Sequence, residues 1–192
     1  MKNIIIGVVV FAVVLIAGFY ALNSYIYNEK QVPATADYKD SAYRIDGVTV
    51  DLKDGLAESE ATPDSASMVT TRYFGNDYFV DLNNDGRDDV VFLLTQETGG
   101  SGVFYYVVAA LNTERGYVGS DGYLLGDRIA PQTIENSPNP RHKNVVVANY
   151  VDRVLGEPMS TQPSVGKSAY LKLDVDSMMW GIVEPDFEGE SR

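Results

Sequence analysis

Residues 89–111 read DVVFLLTQETGGSGVFYYVVAAL, and they carry the strongest indication of fold class in the chain. It contains two apolar segments, residues 89–95 and 102–111, which are rich in Val, Phe and Tyr. Short apolar runs of this composition are typical of strands that are buried on both faces. The polar, glycine-rich residues 96–101 between them have the composition of a hairpin connection. The stretch therefore predicts two adjacent central strands of a β-sheet.

The rest of the chain indicates the same class. Thirteen Tyr, seven Phe, 17 Gly and eight Pro among 192 residues favour strands joined by tight turns over long helices. Asp46-Gly47 lies within the alternating residues 42–52, and this dipeptide is typical of the type I′ turn of a β-hairpin. Residues 55–67 are polar and contain a Pro, which predicts a loop or a strand end. Further strand candidates are residues 67–73, 76–80, 116–125, 129–134, 144–150, 168–174 and 177–183.

Together these segments predict an all-β domain over residues 41–183. Their number and spacing predict a sandwich or partly open barrel of about eight strands. The hydrophobic content of 45% is enough for one domain with its own core. Residues 184–192 have the composition of an acidic, disordered tail.

The N-terminal part of the chain has the composition of a membrane anchor. Residues 4–22, IIIGVVVFAVVLIAGFYAL, carry no charge and would form about 28 Å of helix, close to the thickness of a bilayer core. We therefore predict a transmembrane helix within an anchor, residues 1–28, followed by a tether, residues 29–40. A cleaved secretory leader is the alternative, although the apolar part of a leader is usually shorter. Lys2 precedes the span, which favours a cytoplasmic N-terminus and an extracytoplasmic domain.

An acidic loop, DLNNDGRDDVVF at residues 81–92, leads into the first central strand. Calcium is bound by oxygen ligands, and alternate positions of a tightly coiled loop point oxygens at one centre. Gly86 would permit the sharp bend, while Phe92 stands where an EF-hand has its bidentate Glu. The alternative is a polar turn that holds no ion. The predicted ligands are the side-chain oxygens of Asp81, Asn83, Asp85 and Asp89 and the backbone carbonyl of Arg87.

The loop resembles the D-x-[DN]-x-D-G-x-x-D calcium loops of the FG-GAP and VCBS type, which also lead into an apolar strand. The resemblance covers residues 81–94 once, whereas those families usually repeat the loop in tandem. It implies a ligand role for the four side chains just named and none for Asp88. Residues 71–112, with 124–135 and 156–173, also resemble an uncharacterised cell-envelope domain of bacteria, notably of candidate-phylum lineages. That resemblance implies a bacterial envelope setting and no assigned reaction.

Charge and composition narrow the possible partners. The net charge of −12 repels nucleic acid, so we expect no nucleic-acid binding. The absence of Cys from the sequence excludes disulfides and thiolate sites within it. His142 is the only histidine of the sequence, so no multi-histidine metal site can be built within it.

The function that these features favour is that of a membrane-anchored, extracytoplasmic binding or interaction module with a structural calcium site. Its expected partners are the membrane, through the N-terminal helix, and an envelope protein or glycan. A hydrolase of envelope glycan or peptidoglycan that uses unidentified carboxylates is the alternative from another class. An accessory subunit of an envelope complex is a third possibility. We assign no catalytic residue, and enzyme activity stays open.

Overall fold

The structure is a computed structural model that describes Val13 and residues 15–19, 35–62 and 65–185. Backbone contacts divide the chain into two compact units, residues 1–31 and 32–192. Val13 and residues 15–19 are helical and exposed, and no helix in the described residues is long and apolar enough to cross a membrane. Most of the predicted span at residues 4–22 lies outside the described residues. The same holds for residues 29–34 of the predicted tether and residues 186–192 of the predicted tail.

The second unit is mostly β-structure, which confirms the predicted class. Its described residues form one 3₁₀-helix, Tyr38–Asp40, and twelve strands. In chain order the strands are β1 Ala42–Ile45, β2 Val48–Asp51, β3 Leu56–Glu60, β4 Met68–Val80, β5 Asp89–Glu97, β6 Phe104–Thr113, β7 Gly116–Gly119, β8 Tyr123–Asp127, β9 Ala130–Asn136, β10 Val145–Asp152, β11 Val165–Asp174 and β12 Met179–Ile182.

The described strands differ from the predicted segments in three places. Residues 67–73 and 76–80, predicted as two strand segments, form the single strand β4. Residues 55–67, predicted as a loop or a strand end, contain β3, which pairs with β4 along its whole length. Residues 116–125, predicted as one strand, are divided into β7 and β8, and both of these pair with β6. Strand structure in these polar segments depends on a neighbouring strand, because they have little hydrophobic pattern of their own.

Three antiparallel sheets contain all twelve strands of the described residues. The largest has the order β3-β4-β5-β6-β7, and β8 pairs with β6 beside β7. The second has the order β12-β11-β10-β9, and the third is the hairpin β1-β2. Strands β5 and β6 pair in register from Val90–Ala110 to Gln96–Phe104, which confirms the hairpin predicted by residues 89–111.

The two central strands β5 and β6 are buried on both faces. One face packs against the four-stranded sheet, and its buried residues include Val91, Leu93, Val107, Ala109, Val146 and Leu171. The opposite face forms a second cluster that includes Val90, Phe92, Leu94, Val108, Tyr43 and Ile45. Because successive side chains of a strand point to opposite faces, the continuous apolar pattern of β5 supplies both clusters.

The largest sheet curls into a half-barrel around the second cluster. The hairpin β1-β2 covers the open side of that cluster, and its Asp46-Gly47 turn has φ values of 50° and 82°, as a type I′ turn requires. Strand β1 is joined to the segment between β7 and β8, because Arg44 N donates to Ser120 O at 3.2 Å and Gly122 N donates to Arg44 O at 2.7 Å. The wall of the half-barrel therefore runs from β3 through β6 to β1 and β2.

The described part of the predicted tether, residues 35–40, belongs to this domain rather than linking to it. Thr35 and Tyr117 exchange two backbone hydrogen bonds, Thr35 N to Tyr117 O at 2.9 Å and Tyr117 N to Thr35 O at 2.5 Å. The hydroxyl groups of Tyr38 and Tyr73 both donate to Asp77 Oδ2, at 2.9 and 2.7 Å. These bonds hold the 3₁₀-helix against β4 and β7. The polar sequence of the predicted tether carries no signal for this contact.

The close approach of β7 to β1 gives a test of the half-barrel. A Cβ atom at Gly119 would meet the backbone oxygen of Ala42 and would lie 2.7 Å from the Tyr43 ring. We expect Gly119→Ala to lower the free energy of unfolding by about 1 to 3 kcal/mol, because backbone and a buried ring must both move. Urea unfolding of the two proteins measures this difference.

Gly100→Ala is the matched control, since a Cβ atom there has no neighbour within 4 Å. Equal stability of the Gly119→Ala and Gly100→Ala variants would contradict the described packing of β7 on β1.

Candidate metal-binding site

The acidic loop connects β4 to β5, so it is attached directly to a central strand of the fold. Val80, the last residue of β4, is the register partner of Asp89, the first residue of β5. Between them the chain turns back through two positive φ values, 62° at Asn84 and 85° at Gly86. Gly86 thus lies at the bend that the sequence predicts, and its positive φ is a conformation that favours glycine.

Three of the predicted ligands form one hydrogen-bonded ring. Asp85 N donates to Asp81 Oδ1 at 3.1 Å and to Asn83 Oδ1 at 2.9 Å. Gly86 N donates to Asp81 Oδ2 at 2.9 Å, and Arg87 N donates to Asp85 Oδ1 at 2.9 Å. Asp85 Oδ2 accepts from both Asn83 Nδ2, at 3.0 Å, and Arg87 Nη2, at 2.6 Å, so Asp85 accepts three of these bonds and Asp81 two. A carboxylate has about four lone-pair sites, so acceptor capacity is left on each aspartate, and more on Asp81 than on Asp85. The ring therefore fixes the direction of its side-chain oxygens without using all of their lone pairs.

The Arg87 side chain brings a positive charge to this ring. Its Nη2 lies 2.6 Å from Asp85 Oδ2, and its Nε donates to Asn112 O at 2.7 Å. The pKa of Asp85 is lowered, chiefly by the hydrogen bond from the Arg87 backbone N–H, with further contributions from the Asn83 amide and the Arg87 charge. Asp85 is thus held as an anion by a neighbour that also competes with any external cation for its Oδ2 atom.

Asp89 is arranged differently from the other predicted ligands. Its side chain is fully buried, Oδ2 accepts from Leu82 N at 2.9 Å, and Oδ1 accepts from Asn112 N at 2.8 Å. Burial raises the pKa of Asp89, although the two backbone N–H groups oppose that shift. The charges of Asp85 and Asp81 raise it further. Asp89 therefore ties the beginning of the loop to the end of β6.

The described residues contain no group of three or more Asp, Glu or His side chains arranged to hold a metal ion. Asp81, Asn83 and Asp85 are brought together by hydrogen bonds, whereas the described bonds of Asp89 go to backbone groups outside the ring. The donor chemistry nevertheless fits a hard cation such as calcium, because carboxylate, amide and backbone carbonyl oxygens are its usual ligands. Two of the predicted donors, the Asn83 amide and the Arg87 carbonyl, are not acidic groups.

A groove of about 660 Å³ lies beside the loop and is lined by Asp81, Asn84 and residues of the β9–β10 connection. Asn144 of that connection donates its Nδ2 to Leu82 O at 2.7 Å. His142 lies in the groove wall, where its Nδ1 is 2.7 Å from Ser137 Oγ. Sequence reasoning missed Asn112 and Asn144 as residues that hold the loop, since each is remote in the chain and carries no local signal.

Comparisons of the chain with protein-family models, curated proteins and solved structures found no match.

The buried position of Asp89 predicts a structural role that does not require an ion. We expect Asp89→Ala to lower the free energy of unfolding by about 2 to 4 kcal/mol, because it leaves two backbone N–H donors without their acceptor. Denaturant unfolding in the presence of a chelator measures this cost without a contribution from bound metal.

Asp88→Ala is the matched control, because the neighbouring Asp88 is exposed. If both substitutions had the same small effect, the described anchoring of the loop by Asp89 would be wrong.

Proposed function

We propose that the protein is a membrane-anchored, extracytoplasmic binding module of a bacterial cell envelope, and that its acidic loop holds one structural calcium ion. In this proposal the domain is a sandwich or partly open barrel that follows one transmembrane helix. The observation that carries the calcium assignment is the ring formed by Asp81, Asn83 and Asp85, whose oxygens are oriented by backbone N–H groups.

Electrostatics favour an ion at this ring. Asp81, Asp85, Asp88 and Asp89 fall within nine residues, and Arg87 is the single basic residue among them. Carboxylates that are close together repel one another, and a bound divalent cation would remove that cost. The ion would be held by Asp81, Asn83, Asp85 and the Arg87 carbonyl, with Asp89 at the base of the loop. It would stabilise the loop that joins two paired strands.

The Arg87 side chain defines the competing arrangement. Its guanidinium group already contacts Asp85 Oδ2. In the competing arrangement the loop is a polar turn in which the Arg87 charge balances the Asp85 carboxylate, and no metal is needed. The two arrangements predict opposite effects of removing this group. If calcium binds, loss of the guanidinium removes the charged donor from Asp85 Oδ2, leaves only the Asn83 amide there, and strengthens binding. If Arg87 takes the place of a metal, its loss destabilises the loop and confers no binding.

Calcium titration of the full chain in a neutral detergent tests the assignment. We expect saturable binding of one ion per chain with a Kd on the order of 10⁻⁴ to 10⁻³ M, the range of extracellular sites. Calcium at ten times this Kd should stabilise the protein by about 1.4 kcal/mol and raise its melting temperature by about 3 to 6 °C. Asp81→Ala should abolish binding, and Arg87→Gln should strengthen it.

Asp88→Ala serves as the control, because Asp88 is outside the predicted ligand set and should leave the Kd almost unchanged. The calcium assignment would be refuted if calorimetric titration of the native chain showed no saturable binding of calcium and its melting temperature were the same in calcium and in chelator.

The proposed location depends on the N-terminal sequence. Residues 4–22 carry no charge and are long enough to cross a bilayer as a helix, and Lys2 lies on the side that the positive-inside rule places in the cytoplasm. The bacterial envelope setting depends on the resemblance of residues 71–112 to an envelope domain. The acidic composition is compatible with a surface that meets cations and protein or glycan partners in water.

Fractionation of bacterial cells that express the full chain tests the anchor. The chain should stay in the membrane pellet after an alkaline wash, and protease added to spheroplasts should degrade residues 35–185. Replacement of Val13 and Ile16 by Arg should move the chain out of the pellet, because a charge in the centre of a span costs about 3 kcal/mol.

Glu114→Arg, in the exposed turn after β6, is the control and should leave the chain in the membrane. Recovery of the unaltered chain in the soluble fraction would refute the anchor.

A further inference from the structure

The half-barrel has a seam where β2 and β3 separate. Strand β2 pairs with β1, strand β3 pairs with β4, and no strand in the described residues lies on the other edge of either. The two strands begin as a hairpin, because Lys53 and Leu56 exchange two backbone hydrogen bonds of 2.9 and 3.0 Å. Beyond this pair they diverge and enclose a groove of about 380 Å³.

The turn at the closed end of the seam is a second Asp-Gly turn. Asp54 and Gly55 have φ values of 49° and 75°, as the two central residues of a type I′ turn require. Such a turn normally directs two strands into continuous pairing. Here β3 pairs instead with β4, from Leu56–Arg72 to Glu60–Met68. The edges of β2 and β3 that face away from β1 and β4 therefore form the two walls of the groove.

The backbone of β2 directs hydrogen-bonding groups into this groove. In the hairpin with β1, the pair that closes the two-residue turn, Ile45 and Val48, is hydrogen bonded. Leu52 N donates to Ser41 O at 3.1 Å, which agrees with the same alternation. Because neighbouring residues of a strand point their backbone groups to opposite edges, the N–H and C=O groups of Thr49 and Asp51 point away from β1.

The backbone of β3 directs its groups towards the same groove. Tyr73 N donates to Gly55 O at 2.7 Å, so Gly55 faces β4. By alternation Ala57 and Ser59 also face β4. Glu58 then points its N–H and C=O groups away from β4 and towards β2. A single extended segment placed in the groove would thus meet backbone donors and acceptors on both sides.

The side chains of β2 and β3 also alternate, between the inner and the outer face of the half-barrel. Val48, Val50 and Leu52 lie on the face of β2 that is directed into the half-barrel. Leu52 is fully buried, whereas Val48 is 65% exposed, and no strand of the described residues covers it at the seam. The Gln96 side chain donates to Thr71 Oγ1 at 3.1 Å in the floor of the groove.

The rim of the groove is acidic. Asp46, Asp51, Glu58 and Glu60 are among its lining residues, and none of the described residues that line it is basic. Asp51 and Glu58 lie on the outer face of their strands, opposite to the face that carries Val50 and Ala57. An inserted strand would therefore meet carboxylates with one set of alternate side chains and apolar surface with the other.

We propose that this groove binds one extended peptide that alternates basic and apolar residues and pairs with β2 and β3 at the same time. Main-chain hydrogen bonds supply affinity in this form of recognition, and alternate side-chain contacts supply specificity. The peptide would complete the wall of the half-barrel. The proposal rests on the proposed function as a binding module and is independent of calcium.

Fluorescence anisotropy with the full chain tests the proposal. The probe is a labelled hexapeptide that alternates Lys and Val, and it should bind saturably. A peptide that alternates Glu and Val should bind about tenfold more weakly, because it meets the acidic rim with like charge. A Lys-Val peptide with N-methyl groups at alternate backbone positions should also bind about tenfold more weakly, because one row of donors is lost.

Two variants of the protein test the two walls. Thr49→Pro removes an N–H that points into the groove and breaks no bond of the β1-β2 ladder, so it should weaken binding about tenfold while the chain still folds. Glu58→Lys should weaken binding about fivefold. Glu114→Lys, which makes the same charge change outside the groove, should change the Kd by less than about twofold.

Loss of fold in Thr49→Pro would leave Glu58→Lys and the N-methylated peptide to decide the question. The proposal is overturned if the Lys-Val peptide shows no saturable binding. It is equally overturned if N-methylation leaves the affinity unchanged, or if Glu58→Lys has no more effect than Glu114→Lys. Calcium titration of the same preparation reports on the acidic loop alone, so failure of the groove is distinguishable from failure of the proposed calcium module.

Discussion

Burial of β5 and β6 on both faces is the constraint on which the other parts of the domain depend. Apolar residues occupy consecutive positions from Val90 to Leu94, so neither face of the hairpin can be left in water. Full burial of one such side chain contributes about 1.5 to 3 kcal/mol to the stability of the fold. The apolar side chains on each face of the hairpin therefore need another element packed against them. The four-stranded sheet covers one face. The β1-β2 hairpin, with the 3₁₀-helix, covers the other.

The acidic loop and the seam are both consequences of how that core is covered. Asp89 is the first residue of β5 and is itself buried, so the loop is attached directly to a strand that is buried on both faces. The seam arises at the edge of the largest sheet. There β3 joins the sheet edge at β4, while β2 stays with β1 over the second cluster. One chain reversal at Asp54-Gly55 thus has its two arms in different sheets, and in the described residues both arms line one groove.

Local sequence signals predicted a large part of the fold and the geometry of one loop. The central hairpin, the Asp46-Gly47 turn and the bend at Gly86 follow from residues that are neighbours in the chain. The Asp54-Gly55 turn carried the same dipeptide signal and could have been found by it. Strand β3 could not, because its polar residues form a strand only through pairing with β4. Asp89 differs from Asp81, Asn83 and Asp85 because its side chain accepts a hydrogen bond from the Asn112 N–H. Asn112 lies in β6, 23 residues further along the chain, so no local pattern predicts this contact.

Local sequence is enough to locate the buried central strands, the tight chain reversals and the concentration of carboxylates. These properties depend on hydrophobic composition and backbone preference over a few consecutive residues. Strand neighbours, the sheet edges that carry no partner strand in the described residues, and the burial of Asp89 depend on the three-dimensional arrangement. The reason is that hydrogen bonding between strands and the covering of an apolar face are interactions between distant residues, and many pairings satisfy the same local pattern. The groove between β2 and β3 therefore has no counterpart in any short stretch of the sequence.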